Sequence, residues 1–343
     1  MRDVIEISYT GDLLAHRRCA RAWSFEKQAG FYPYEQVQAM EGRLVHHALE
    51  WLSRQFSDVL KRSRHATAAE LRAQLEHYFR VLWARGLRTT FASKDETLTR
   101  VVGNLYPSGT IHPTVKAVVE GAQHTEYELR SVRKLLPKLP GGKSKLLLTG
   151  VLDLVVQQQA PLAYERTWQW TSVENLEGKA AKAQTRAKAM DVEIWDYKGS
   201  RSDTPYLIDY VRQLLTYAAL YEERVGALPA RCVLFFVNEP DRWKQLVAVP
   251  VDGVVVKRAV DWTYEQVDHL QKTISLFQKD PCSVPGGEFE KRGEKIGNRM
   301  TDELKNQCTA CGFRFDCDEY RAHLRSDARK PHPDVDIYNV RKN

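Results

Sequence analysis

The stretch LLLTGVLDLVV, residues 146–156, decides the fold. The turn-forming LPGGKS at 139–144 precedes it, and a run this rich in Leu and Val reads as a buried β-strand. Asp153 is the single charged residue in those eleven positions. Burying an unpaired carboxylate costs several kcal/mol, so a cation or an opening to water must compensate it. A second stretch, EIWDYKGS at 193–200, sets Asp196 and Lys198 two positions apart in an apolar run. Side chains two apart on a strand share a face, so these two project together with Tyr197 on the other side. If the strands are neighbours, two carboxylates converge beside a lysine. A structural ion pair between Asp153 and Lys198 is one reading. The other is half of a metal-dependent hydrolase site, because Mg²⁺ or Mn²⁺ is the natural counter-charge of paired carboxylates and a lysine beside them can orient a metal-held water.

Outward from these strands the pattern is mixed. HTEYELR at 124–130 alternates as a strand. Asp153 and Asp196 are 43 positions apart, far more than a hairpin needs, so residues 158–191 are expected to be an insertion, with EGKAAKAQTRAKAM at 177–190 as a short basic helix. DTPYLIDYVRQLLTYAALYEERVG at 203–226 reads as a helix capped by Thr204, with Pro205 first and Gly226 as its stop. Strands ARCVLFFVN and KQLVAVPVD follow, then an amphipathic helix over about 255–279. Upstream, helices are expected over 10–30, containing Cys19, over 36–57 and over 67–85, with 86–113 irregular. Strands with a crossover helix between helical ends make an α/β core with helical additions.

The chain has 343 residues, 43% hydrophobic and 28% charged, as a globular protein has. No run approaches the about 18 to 20 apolar residues that span a bilayer, and MRDVIEISYT lacks an apolar signal core, so a cytoplasmic protein without a membrane partner is expected. The net charge of +7 favours polyanionic partners, nucleic acid above all. Of six cysteines, Cys232 in RCVLFFVN reads as a core thiol, and Cys282 in KDPCSVPGG carries no readable signal. CTACGFRFDC places Cys308, Cys311 and Cys317 at a spacing that suits a soft metal or an iron–sulfur cluster. Cys19 is the candidate fourth thiolate; a zinc site completed by Cys282 or a histidine fits the spacing equally.

The order GRLVHHALE, TGVLDLVV, WDYKGS, QLLTY resembles the PD-(D/E)XK nucleases of the RecB type. That family runs Gly-x-x-x-His on a helix, Gly-x-x-Asp and Asp-x-Lys on strands, and Gln-x-x-x-Tyr on a helix. The matching positions are Gly42 and His46, Gly150 and Asp153, Asp196 and Lys198, Gln213 and Tyr217. The resemblance implies a restriction-endonuclease-like core, a mixed central sheet flanked by helices. It implies that His46, Asp153, Asp196 and the Tyr197 carbonyl hold Mg²⁺ or Mn²⁺, and that Lys198 is the catalytic lysine. Gln213 and Tyr217, one helical turn apart, would face the site or the DNA backbone. Glu126 stands where the family often carries a further acid, though Glu128 has the same parity. One N-terminal cysteine with a C-terminal Cys-x2-Cys-x5-Cys also resembles AddB-type and CRISPR-associated RecB-like exonucleases. That likeness implies a [4Fe–4S] cluster on Cys19, Cys308, Cys311 and Cys317.

The expected organisation is N-terminal helices over 1–57, a helical insertion over 58–120, a nuclease core over 121–280 and a C-terminal cysteine-cluster segment with a polar tail over 281–343. The expected activity is hydrolysis of DNA, as an exonuclease on single strands or ends, in repair, recombination or defence, with a helicase or another protein as possible partner. A non-catalytic DNA-binding or scaffold subunit and an RNA nuclease are the alternatives. Lys179, Lys182, Arg186 and Lys188 in the insertion, and Arg17, Arg18 and Arg21 beside Cys19, are candidate DNA contacts, with Trp168 and Trp170 as stacking groups or packing residues.

Overall fold

The apolar 146–156 run forms the long strand on which the sheet is built. The structure, a computed structural model, describes residues 4–31, 37–59, 66–84, 94–134, 145–159, 161–204, 206–284 and 313. In chain order the elements are β1 (Val4–Ser8), a π-helical turn (Tyr9–Leu14), α1 (Ala15–Arg18), α2 (Ala20–Lys27), α3 (Val37–Val59), α4 (Ala68–Ala84), α5 (Lys94–Leu105), α6 (Pro113–Glu120), β2 (Ala122–Lys134), β3 (Lys145–Gln157), β4 (Leu162–Ser172), β5 (Glu177–Ala187), β6 (Val192–Lys198), α7 (Leu207–Val225), β7 (Arg231–Phe236), β8 (Leu246–Pro250) and α8 (Gly253–Lys279). The chain divides into two compact units: Met1–Leu13, Gln38–Leu87 and Ser93–Asp268 form the first, and Leu14–Val37, Arg88–Ala92 and His269–Asn343 the second.

The first unit is a mixed α/β fold with one eight-stranded sheet, ordered β1-β3-β6-β7-β8-β4-β5, with β2 paired to β3. β2 runs antiparallel along one edge of β3 from Lys145 to Val156. The other edge is therefore shared: β1 pairs parallel with 145–149 and β6 antiparallel with 154–157. One face of the sheet carries Leu154, Trp195, Phe235 and Ala248 into a core with Leu49 of α3, Phe79 of α4, Val101 of α5 and Val118 of α6. α7, whose residues from Val211 to Tyr221 are all buried, packs against β3, β6 and β7. Cys232 is fully buried there, its thiol pointing to the Leu214 carbonyl at 3.7 Å and its pKa pushed well up by burial, as a core thiol should be.

Several local expectations change. The segment 177–190 is not a basic helix: 177–187 is β5, antiparallel to β4, and the hairpin attaches through β8 at the far end of the sheet. Its alanines favour helix intrinsically, but its exposed and half-buried residues alternate with period two, and pairing overrides propensity. A Cβ on Gly178 would collide with Trp168 at 2.7 Å, so that glycine lets the hairpin close. Within 86–113, α5 replaces irregular chain; β-branched Thr97 and Val101 disguised it, yet they and Leu98 and Leu105 bury one stripe. Cys19 lies between two helices as the cap of α2, its Sγ accepting from the Ala22 amide at 3.4 Å. α7 opens after Tyr206, not at a Thr204 cap, and Gly226 ends it at φ +87°. The short β1 was missed altogether.

A polar network ties the inserted hairpin to the core. Glu193 of β6 is fully buried and accepts from Tyr164 at 2.6 Å, Gln158 at 2.5 Å and Trp195 at 2.9 Å, and Arg231 pairs with it at 2.9 Å. Replacing Glu193 by Ala strands three donors and removes one of the two carboxylates that pair with Arg231, the other being Asp191 at 2.8 Å, so Glu193→Ala should lose about 3–5 kcal/mol in denaturant unfolding, with Glu193→Gln losing clearly less.

Candidate metal centre

Glu126 of β2, Asp153 of β3 and Asp196 of β6 stand on one rung of the sheet. Thr125 pairs with Leu154 and Tyr127 with Leu152, which sets Glu126 opposite Asp153; Leu154 pairs with Trp195, which sets Asp153 opposite Asp196. Both ladders break at this rung. β3 and β6 stop pairing beyond Leu154, and the Asp153 carboxylate takes the Tyr197 N–H at 2.7 Å in place of a backbone carbonyl. Glu126 adopts φ +48°, a left-handed conformation inside a strand. For a non-glycine residue that costs about 1–3 kcal/mol and commonly marks a functional position.

α3 adds the imidazole. His46 Nδ1 lies 3.3 Å from Asp153 Oδ1. One ligand atom each from His46, Glu126 and Asp153 fall within 4.8 Å of one another, a set that suits a divalent ion with oxygen and imidazole donors. Asp196 is buried beside this group, its Oδ2 drawn to Lys198 Nζ at 2.5 Å. Glu128, the other residue of the same parity, is bonded to Arg130 at 2.6 Å, whereas a Glu126 oxygen lies with His46 and Asp153, so Glu126 is the acid that joins the cluster. What distinguishes them is the backbone kink, which no side-chain pattern reveals.

The lysine is positioned from three sides. Besides Asp196, Lys198 Nζ donates to Gln213 Oε1 at 3.2 Å and lies 4.4 Å from the centre of the Tyr210 ring, a contact the sequence did not suggest. Gln213 in turn donates to the Tyr217 hydroxyl at 3.1 Å and to Thr10 at 3.2 Å. The Tyr217 ring lies over Gly150, where a Cβ would sit 2.5 Å from Cε1. A Cβ on Gly42 would meet nothing within 4 Å, but its Cα closely approaches Gly199, just past Lys198.

The charges are interdependent. Burial raises the Asp196 pKa, Lys198 opposes this and Asp153 adds to it, for a result of about 6. Partial desolvation at the mouth of the cleft and the Asp153 charge lift Glu126 to about 7, although its surface remains exposed. Burial alone would lower His46, but the charge and hydrogen bond of Asp153 reverse this and raise it to about 9. Asp153 is held below the usual carboxylate range despite its burial, because His46, Lys198 and the Tyr197 N–H favour its anion. In this state the protonated His46 neutralises Asp153, the part a metal ion would take over.

The other candidates stand elsewhere. Lys179, Lys182, Arg186 and Lys188 are exposed on or just after β5, the sheet's edge strand, where lysines also deter further strand pairing. Trp168 is buried and packs edge-on against half-buried Trp170. In the second unit, Arg21 donates to the Val284 carbonyl at 2.9 Å, Arg17 is half-buried and Arg18 exposed. Cys308, Cys311 and Cys317 lie outside the described residues.

The family model described as PD-(D/E)XK nuclease superfamily matches residues 11–318. No curated protein matches the chain.

Two outcomes follow from the geometry. Gly150→Ala should displace Tyr217 and cost about 1–3 kcal/mol in denaturant unfolding. A metal ion must expel the protons held by His46 and Glu126, so affinity for Mn²⁺ should rise with pH between about 6 and 9 and level off above. Calorimetry in two buffers of different ionisation enthalpy should show protons released at pH 7; an affinity flat across that range would contradict the assigned donors.

Proposed function

The chain belongs to the PD-(D/E)XK nuclease superfamily, and we propose that it is a divalent-metal-dependent nuclease acting as an exonuclease on single-stranded DNA or DNA ends. The observation that carries the reading is the rung of Glu126, Asp153 and Asp196 with His46 and Lys198 around it. The donor set fits Mg²⁺ or Mn²⁺: ligand atoms of two carboxylates and an imidazole lie within 4.8 Å of one another. His46, Glu126 and Asp153 would hold the ion, with Asp196 and the Tyr197 carbonyl beside them. A bound divalent ion supplies Lewis-acid charge to the phosphate and a more acidic water.

The rest of the chemistry belongs to the chain's own groups. Lys198 is kept charged, since Asp196 and Asp153 outweigh the effect of its burial. Held by Asp196 and Gln213, its ammonium has a fixed position from which to stabilise charge developing on the scissile phosphate. Gln213 and Tyr217 fix that position through Thr10 and Gly150, so little reorganisation is needed during reaction. As a ligand His46 would have to be neutral, so its proton would leave on metal binding.

We place a [4Fe–4S] cluster on Cys19, Cys308, Cys311 and Cys317. Support comes from the second unit, where Phe313, between Cys311 and Cys317, packs on Phe25 of α2 with ring centres 5.7 Å apart. α2 is the helix that Cys19 caps. The exposed bases of the β5 hairpin would guide DNA, and a helicase is a fitting partner. Among the described residues no helix is long and apolar enough to cross a membrane.

The experiment is cleavage of end-labelled DNA and RNA with Mn²⁺ by protein purified without oxygen. The protein should be brown, and should shorten DNA from an end. Asp196→Asn and Lys198→Ala should each lower kcat about 1,000-fold, as the loss of one fixed transition-state contact does. Binding without cleavage by the unaltered protein would make it a DNA-binding subunit instead, and RNA cleaved in preference to DNA would reassign the substrate.

A further inference from the structure

Beside the metal-competent group lies a cleft of about 380 Å³, lined by Arg43, His46, His47, Glu50, Tyr78 and Glu126. His46 and Glu126 belong to the metal group, but the other four have no part in it. Arg43, His47 and Glu50 come from α3, the helix that supplies His46, and Tyr78 comes from α4. The His47 and Tyr78 rings are stacked, with centres 3.9 Å apart and planes 17° from parallel. Gln74 holds the edge of the His47 ring, its Nε2 lying 3.1 Å from His47 Nε2. Glu50 is ion-paired with Arg54, so its charge is offset where a polyanion would approach. Arg43 is exposed at this cleft.

We propose that this cleft binds one unpaired nucleobase of the strand whose phosphate lies at the metal group, the base stacking on the Tyr78–His47 pair and Arg43 meeting a neighbouring phosphate. The proposal rests on the nuclease reading and names its substrate class. A site of this volume falls at the small end of ligand pockets, which run from about 300 to 1,000 Å³, and has room for one nucleoside; to stack on the Tyr78–His47 pair a base must present its face, which a base held between its neighbours in a duplex cannot do. A strand can therefore use it only where its bases are unpaired, in single strands or at frayed ends. The aromatic stack is formed in advance, so a base adds to it without ordering either ring. Stacking tolerates any base, because every base has a π-face, so the cleft selects single-strandedness and not sequence. Tyr78 belongs to the helices between α3 and the sheet, which gives that insertion a task in substrate choice.

The test uses the full chain and a short single strand containing 2-aminopurine, whose fluorescence falls when it stacks on an aromatic ring. In the Asp196→Asn background, which removes cleavage from the readout, binding should quench the probe. Tyr78→Leu, which keeps apolar bulk but deletes the ring, should abolish the quenching, and Tyr78→Phe should restore it. In the otherwise unaltered enzyme, Tyr78→Leu should raise KM for single-stranded DNA about tenfold, the size of effect expected for one lost base stack, with kcat and the thermal midpoint little changed. Quenching and KM both unmoved by Tyr78→Leu, in a protein that cleaves and is silenced by Asp196→Asn, would overturn the pocket and leave the nuclease standing. Tyr78-dependent quenching in a protein that never cleaves would keep the pocket and overturn the nuclease.

Discussion

Three carboxylates share one rung of the sheet, and their repulsion is the constraint on which the centre of this protein depends. Glu126, Asp153 and Asp196 come from adjacent strands at the level where the ladders on both sides of β3 give way. Like charges so placed are tolerated only where cations answer them. The chain provides two, a protonated His46 against Asp153 and Lys198 against Asp196. The backbone contributes as well, since the Tyr197 N–H that leaves the ladder is returned to the Asp153 carboxylate. Broken pairing and accumulated charge are thus one arrangement: parting the strands exposes a donor, and the acid on the neighbouring strand uses it.

Around that rung the supports form a hydrogen-bonded chain whose members are distant in sequence. Lys198 rests on Gln213, Gln213 on Tyr217 and Thr10, and Tyr217 on the bare backbone of Gly150. The path returns to β3 three residues from Asp153, so one strand supplies both an acid of the centre and the floor beneath the residues that hold its lysine. Lys198 and Asp196 share a face of β6, and Tyr197 projects to the other face into the core with Phe235.

How much was legible in the sequence differs from element to element. Asp153 and Asp196 stood out because a carboxylate in an apolar strand demands compensation, and their convergence follows from strand neighbourhood. His46 and the Gln213–Tyr217 pair gave no such signal by periodicity; only their order along the chain pointed to them. Glu126 and Glu128 were indistinguishable by parity, because the difference is a left-handed backbone at Glu126 rather than a side-chain pattern. β5 was misread as a helix since alanine and lysine say helix locally, while its partner β4 and the sheet beyond say strand. α5 was overlooked for the opposite reason: its Thr and Val residues are poor helix formers, and packing of one stripe decides it. Tyr210 and the His47–Tyr78 stack depend on contacts between separate elements, which no single segment encodes.

The shared edge of β3 bears on how the molecule assembles during synthesis. β1 leaves the ribosome well before its partner residues, which lie some 140 positions later, Val4 facing Lys145. β6, which takes the remaining part of that edge, follows later still. Contacts this remote in sequence close slowly, because the loop entropy is lost before the pairing can offset it. The nascent N-terminal segment must wait, unpaired, for a strand not yet made. Until then its unpaired backbone invites association with other chains, and pairing with β3 is what occupies one edge of it.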